Sequence, residues 1–318
     1  MLRINFFILI GLPDPILIIT KKMDKKVSVI VNCHNGQEYL NKCIVSILNQ
    51  KYENLEIIFY DNFSNDRSKE IISTYKDKRI KYFYSNNKLS LYQARNKALE
   101  QVSGKIIAFL DVDDWWDENY LSSRALLFND DNQDFFYCNR YTFFEKNKKL
   151  EIFRKLDLPN GKIYSYLAKD YFISISGLII KKEIFDKVGL FNKDFNIIGD
   201  FDLVMRMSRK FNGHATNEPL LFYRYHKNNF SKINLEMFFK EFNKWFNDQV
   251  KLEDKYFLNN IKYFEKKLLS FEIKNLLVNS SKNFYLLYKI VNHPDLFEKL
   301  KFLMVFLMPK QVVNYLKK

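Results

Sequence analysis

Two short acidic runs carry residue types and spacings suited to chemistry. Asp61-Asn62-Phe63-Ser64-Asn65-Asp66 follows one apolar segment, and Asp111-Val112-Asp113-Asp114 follows another. The Asp-x-Asp spacing sets two hard oxygen ligands within reach of one divalent ion, and Mg2+ and Mn2+ favour such ligands. An ion held this way keeps room for water and phosphate oxygens, so a diphosphate is its natural partner. A carboxylate cluster at the end of a buried strand is costly unless a cation or hydrogen-bond donors compensate it. Taken alone, the second run reads equally well as an acidic turn capping the following helix.

The elements that must position these runs are legible in the apolar pattern. Residues 27–32 (VSVIVN) are a β-branched run of the kind buried on both faces of a parallel sheet. A helix is expected over 37–49, where Leu40, Cys43, Ile44, Ile47 and Leu48 recur at helical spacing. Residues 55–60 read as a second strand, 65–75 as a short helix and 80–84 as a third strand. Residues 91–102 read as a helix stopped near Gly104, and 106–110 as a fourth strand. This alternation predicts an α/β fold with a mostly parallel sheet and helices on both faces. Ligands bind such sheets at the carboxyl ends of the strands, here just after Tyr60 and Leu110. Further on, the pattern predicts a helix over 117–128, a strand near 135–139 and a hairpin to Phe153. A strand over 173–180 and helices over 182–188 and 200–211 follow. From Ile233 onward it predicts helices only.

Taken in order, the motifs VSVIVN, LEIIFYDN with Ser64 and Asp66, Ala94-Arg95-Asn96, and Gly104 through Asp114 resemble family 2 glycosyltransferases of the GT-A fold. The likeness is close over 26–116. It continues through Ser176-Gly177-Leu178, Phe191-Asn192, residues 199–203 and Arg206. It implies a Rossmann-like GT-A domain over 25–232, with a nucleotide-sugar half at 25–116 and an acceptor half at 117–232. A helical, basic and aromatic region over 233–318 would follow, and residues 1–24 are an N-terminal extension.

Residue by residue, the resemblance implies that Asn32, Asp61 and Asn62 line the nucleoside pocket, with Arg95 near the base or diphosphate. Asp111 would face the ribose and the metal's water shell, and would share the ion, Mn2+ or Mg2+, with its direct ligand Asp113. His226, in Arg224-Tyr225-His226, would approach the metal or the diphosphate. Asp200 would be the catalytic base, supported by Asp202 and Arg206; it also suits the N-cap of its helix. The expected reaction moves a sugar from a nucleotide-sugar to a hydroxyl of a glycan or lipid-linked acceptor, with inversion, in bacterial cell-surface polysaccharide or lipooligosaccharide synthesis. UDP is the default nucleotide. Three positions depart from the family pattern: Asn62 and Phe63 stand where relatives often carry Asp and Gly, and Gly199 where they often carry Glu.

The composition, 47% hydrophobic and 28% charged, fits a folded chain. Its net charge of +14 favours polyanions. The basic residues are spread widely and no nucleic-acid motif accompanies them, so nucleic acid is not an expected partner. An anionic membrane surface is. The aromatic and lysine-rich C-terminal region, with the apolar run 300–308 before Pro309 and Lys310, suits either a helical cap on the catalytic domain or a peripheral membrane surface. Cys33, Cys43 and Cys138 lie far apart without a CxxC pair, which suggests neither a disulfide framework nor a zinc site and fits a reducing cytoplasm. The expected location is the inner face of the cell membrane. Residues 6–20 are apolar but interrupted by Pro13, Asp14 and Pro15, too broken for a normal span. Either Met23 is the natural start or the first residues form a membrane-contacting arm. His34 is expected beside the nucleotide pocket, His214 and His293 at the surface, and Trp115 and Trp116 at the sheet edge or stacked on sugar.

Three other readings compete. A nucleotidyltransferase would want a Gly- and Arg-rich loop where this chain has Cys33-His34-Asn35-Gly36-Gln37. A basic membrane- or nucleic-acid-binding module on a degenerate GT-A fold is allowed by charge alone. A processive synthase would need transmembrane spans and a Gln-x-x-Arg-Trp motif.

Overall fold

The computed structural model describes residues 25–130, 134–229, 234–279 and 283–308. The expectations for residues 1–24 and for the basic stretch after Pro309 lie outside the described residues.

The first half follows the predicted alternation. β1 (Val27–Cys33), α1 (Leu40–Leu48), β2 (Leu55–Asp61), α2 (Ser68–Thr74), β3 (Ile80–Tyr84), α3 (Leu91–Leu99) and β4 (Ile106–Phe109) succeed one another. β1 pairs in parallel with β2 and β4, and β2 with β3. Both faces of β1 and β2 are covered, which explains their apolar residues at consecutive positions. Val29, Val31, Ile57 and Phe59 enter the layer beneath α1, whereas Ile30, Ile58 and Tyr60 enter the opposite layer. α1 starts later than expected because Gly36 accepts the N–H groups of both Tyr39 and Leu40 in a preceding turn. Ser90 and Gln93 form a reciprocal cap at the start of α3.

The second half comprises β5 (Trp115–Trp116), α4 (Ser122–Ala125), β6 (Phe135–Phe144), β7 (Lys149–Ile152), α5 (Tyr164–Lys169), β8 (Ile179–Lys181), α6 (Glu183–Val188), α7 (Gly199–Lys210) and β9 (Gly213–Tyr225). Among the described residues, nine strands form one sheet in the order β3-β2-β1-β4-β8-β6-β9-β5, with β7 on β6. β8 is antiparallel to β4 and β6, so the second half of the sheet is mixed. The helix expected over 117–128 contracts to α4 and a 3-10 turn at Leu126–Asn129. The Asp117 carboxylate accepts both the main-chain and side-chain N–H of Asn119 and holds a turn there instead. The strand expected over 173–180 is only β8, preceded by a 3-10 turn at Ile175–Gly177. The sequence reading misses β9. Its polar middle, Asn217-Glu218-Pro219, hides the alternation, and its register against β6 shifts there.

Among the described residues, five helices follow: α8 (Leu235–Lys251), α9 (Lys255–Leu258), α10 (Ile261–Asn279), α11 (Phe284–Val291) and α12 (Leu296–Leu307). Phe242 and Trp245 of α8 join the core layer of Phe201, with the Phe201 and Trp245 rings 4.8 Å apart. α11 and α12 close a small separate core of Ile273, Leu286, Ile290 and Phe302. His293, expected at the surface, is buried beside it. Its Nδ1 lies 3.2 Å from the Asp295 main-chain nitrogen and its Nε2 2.9 Å from Ser270 Oγ. Among the described residues, no helix is long and apolar enough to cross a membrane.

The amino ends of β1 and β2 are tied by Glu56. Its buried carboxylate accepts from Ser28 Oγ at 2.6 Å and Ser103 N–H at 2.8 Å, and faces Lys81 Nζ at 2.6 Å and Lys26 Nζ at 2.9 Å. Gly104 closes over it, where a Cβ would lie 2.5 Å from the Lys26 carbonyl oxygen. Burial alone would raise the Glu56 carboxyl; Lys81, Ser28, Lys26 and Ser103 outweigh it and hold it well below the usual range. A depressed value contributes stability above the unfolded carboxylate range, and that contribution is lost as pH falls through the folded value. Glu56→Gln should therefore cost about 3 kcal/mol at neutral pH. Its Tm should also fall less steeply than the wild type's below about pH 4. Parallel Tm–pH curves for the two proteins would rule this role out.

Candidate functional site

The carboxyl ends of the strands open on a pocket lined by Asp111, Asp113 and Asp200 together with Arg95 and Tyr92. Arg95 projects from α3, is almost fully buried, and places Nη2 2.5 Å from Asp111 Oδ1. Its guanidinium lies 5.2 Å from the Tyr92 ring centre. Burial works against the Arg95 charge, but the Asp111 and Asp200 carboxylates outweigh it and hold its pKa above the ordinary value. Burial also pushes the Asp111 carboxyl up; Arg95 pulls it down and Asp113 raises it again. The Asp111 N–H donates to Ser176 Oγ at 3.1 Å, which anchors the acidic run to the turn before β8.

The three aspartates of that run separate. Asp114 turns inward and accepts the Arg224 N–H at 2.9 Å; burial and the two neighbouring carboxylates push its pKa well up. Asp111 takes Arg95. Asp113 places Oδ2 3.0 Å from His226 Nε2, while Arg224 Nε donates to the Asp113 carbonyl at 2.9 Å. β9 therefore delivers both Arg224 and His226. The His226 N–H donates to Asn229 Oδ1 at 2.6 Å, its ring leans on Tyr39 at 5.1 Å, and its Nδ1 is buried without a partner among the described residues.

A divalent ion with octahedral bonds of about 2.1 Å has neighbouring ligands roughly 3 Å apart. Asp113 Oδ2 and His226 Nε2 have that separation. Among the described residues, no three His, Cys, Asp or Glu side chains converge to complete a site. The pair fits an ion whose other ligands are phosphate oxygens and water.

Asp200 lies in the first turn of α7 and does not cap it: the N-cap is Ile198, which makes no side-chain bond. Asp200 Oδ1 is 2.8 Å from Tyr92 Oη, which is also 2.9 Å from the Ile197 carbonyl. The single phenolic proton serves one acceptor at a time. Tyr92 also explains Gly199, because a Cβ there would lie 2.5 Å from its ring. Asp202 and Arg206 pair along α7 at 2.8 Å, and Arg206 also bonds the carbonyls of Val188 and Leu190. They fix α7 against the end of α6 and do not line the pocket.

Sequence reasoning misses Glu241. This buried carboxylate of α8 accepts the N–H groups of Asn196 at 2.7 Å, Ile197 at 2.9 Å and Ile198 at 3.2 Å. It satisfies three consecutive main-chain donors just ahead of α7, and its charge at that end complements the helix dipole. Its sequence signal is one glutamate among many in a basic, aromatic stretch.

Among the residues expected to line a nucleoside pocket, Asp61 is fully buried and holds its own turn, accepting from Ser64 N–H at 2.9 Å and Tyr82 Oη at 3.0 Å. The Asn62 amide makes a two-way clasp with Leu89, donating to its carbonyl at 3.0 Å and accepting its N–H at 2.9 Å. Asn32, at the end of β1, keeps both amide atoms buried without a partner among the described residues, so it has bonding capacity left for a ligand. His34 is exposed, with Nδ1 3.0 Å from the Asn62 carbonyl. Trp116 donates to the Ser176 carbonyl at 2.7 Å, and Trp115 stacks on Phe222 with Lys42 Nζ 3.5 Å from its ring centre. Both tryptophans pack within the sheet. Cys33, Cys43 and Cys138 are free and buried.

Known proteins share the fold and the family. Solved structures share the GT-A fold. S. aureus TarS 1–349 in complex with UDP-GlcNAc gives a TM-score of 0.56 at 15% identity, over 88% of this chain and 79% of that one. The mannosyltransferase PcManGT from Pyrobaculum calidifontis, in complex with GDP-Man and Mn2+, gives 0.54 at 15% identity, over 92% and 88%. Among curated relatives, glycosyltransferase GlyA of Streptococcus pneumoniae is 36% identical over 39% of this chain, which covers 18% of GlyA. The chain likewise spans 61% of the S. pneumoniae glycosyltransferase GlyG, at 29% identity over 54% of this chain. The Escherichia coli UDP-Glc:alpha-D-GlcNAc-diphosphoundecaprenol beta-1,3-glucosyltransferase WfaP is 30% identical over 63% of this chain and 77% of its own length. The sequence profile described as "Glycosyl transferase family 2" matches residues 28–189, half of the chain, and the chain therefore belongs to glycosyl transferase family 2.

Proposed function

We propose that this chain moves a sugar from a nucleotide-sugar, with UDP as the nucleotide, to a hydroxyl of a glycan or lipid-linked acceptor. The transfer inverts the anomeric centre, serves surface-glycan synthesis and takes place at the inner face of the cell membrane. One observation carries the reading: Asp200 and the Asp111–Asp113 pair line the same pocket. The names of WfaP and of the TarS and PcManGT complexes support the donor class, the lipid-linked acceptor and the use of a metal.

Three carboxylates and one guanidinium give the pocket a negative lining, which repels a diphosphate unless a cation enters with it. Mn2+ or Mg2+ would be held by Asp113 and His226, with Asp111 beside it, and would supply positive charge for the leaving diphosphate. Arg95 adds a fixed positive charge on the same side. Asn32 offers its unpaired amide to the nucleoside. Tyr92 holds one oxygen of Asp200, and the other takes the proton of the acceptor hydroxyl as that oxygen attacks the anomeric carbon. Attack from the side opposite the leaving group inverts the centre. A binding module without turnover has no use for a carboxylate so placed, and a nucleotidyltransferase lacks its triphosphate loop here.

Thermal stability against a panel of nucleoside diphosphates, with and without Mn2+, tests the donor site. The matching pair should raise Tm by about 5 °C or more at saturating ligand. Asp113→Ala should lose the metal-dependent part of the shift; an unchanged metal-dependent affinity in calorimetry would remove Asp113 as ligand. Asp200→Asn should keep donor binding and lower kcat by about 100-fold to 10,000-fold; near-normal turnover would exclude it as the base. Glu241→Gln should lower kcat by about tenfold while leaving nucleotide Kd unchanged, because it perturbs the placement of Asp200 and not the metal. A parallel loss of nucleotide affinity would contradict that assignment.

A further inference from the structure

α11 and α12 are apolar on two sides. Leu286, Ile290 and Phe302 turn inward to the small core with Ile273. On the outer side, Phe284, Tyr285, Tyr288 and Val291 recur at helical spacing along α11, and Leu296, Phe297, Leu300, Met304 and Leu307 along α12. All nine are exposed; Phe284 is 84%, Phe297 75% and Leu307 78% accessible. Each set projects onto one narrow stripe of its helix, and no polar residue interrupts either stripe. Because both helices pack on the same core, both stripes face away from it. Exposed apolar faces of this extent mark interaction sites rather than ordinary surface.

We infer that the outer face of α11 and α12 is a monolayer-docking surface whose partner is an anionic lipid bilayer. The inference deepens the membrane reading proposed above and rests on it. Three features select lipid over a protein partner. Lysines border both stripes, Lys289 on α11, where it pairs with Glu272 at 3.0 Å, and Lys299 and Lys301 on α12, where Lys301 lies 3.5 Å from Glu298, within a chain of net charge +14. Lysine is depleted from protein–protein interfaces, whereas beside an apolar stripe it meets anionic headgroups. Tyr288 is the amphipathic ring type that settles at the headgroup boundary, and Tyr285 beside it exposes its ring while its hydroxyl donates to Glu272 at 3.0 Å. Neither helix is long enough to span, so the pair lies in the plane of the interface.

Co-sedimentation of the full chain with phosphatidylglycerol-containing vesicles, against phosphatidylcholine vesicles alone, tests the surface. The wild type should partition onto the anionic vesicles. A Phe284→Ser/Phe297→Ser/Leu300→Ser variant, altered only at exposed positions, should partition at least about tenfold more weakly. Its Tm response to nucleotide and Mn2+ should match the wild type's, which establishes that it is folded. Equal partitioning of wild type and variant, or none by the wild type, overturns the proposal. So does unchanged partitioning combined with loss of a dimer in light scattering, which would make the face a contact between copies. Failure of the nucleotide response in the wild type would instead defeat the donor-site reading and leave the vesicle result standing.

Discussion

Carboxylates at the ends of buried strands have to be compensated one by one, and the architecture around the pocket answers that need. Asp61 is satisfied by its own turn and Tyr82. Asp111 is met by a guanidinium delivered from α3, and Asp114 by a main-chain N–H of β9. Only Asp113 is left with a partner, His226, whose nitrogen a cation could share. The long strand β9 and the capped helix α3 are thus required by the acidic loop as much as by the sheet. Removing either would strand charge in a poorly solvated place.

The core strands and the acidic loops are legible in the sequence because their signals are local. A run such as 27–32 needs no partner to announce a doubly covered strand, and an Asp-x-Asp pair announces its ligands by spacing. The residues that escape the sequence act across long separations. Tyr92 meets Asp200 more than a hundred positions away, and Glu241 reaches back to 196–198. Neither carries a local pattern. Asp117 shows the opposite failure: an apolar periodicity suggests a helix, and a short polar side chain takes the main chain into a turn first. His293 looks like surface until α10 and α12 are packed around it.

Some residues keep their expected neighbourhood but carry a different burden there. Asp202 and Arg206 stand next to the proposed base, yet their bonds run to the end of α6. Asn62 follows β2 as expected, yet its amide is taken up by Leu89. Asn32, by contrast, keeps both amide atoms without a partner among the described residues. Gly199 is where the family pattern and this chain part, and the ring of Tyr92 occupies the space that a side chain would need.

Glu241 has a bearing on how this chain can be shuffled. A carboxylate from the C-terminal helices supplies the acceptor for three consecutive N–H groups at the threshold of α7. The helices after residue 233 are therefore not an interchangeable tail hung on a finished catalytic half. A recombinant joining the first 232 residues to the tail of a relative would inherit a pocket wall with three orphaned donors, unless the incoming helix brought an acidic residue to the same spot. Exchange of the C-terminal helices is thereby limited to tails that preserve that one anionic contact.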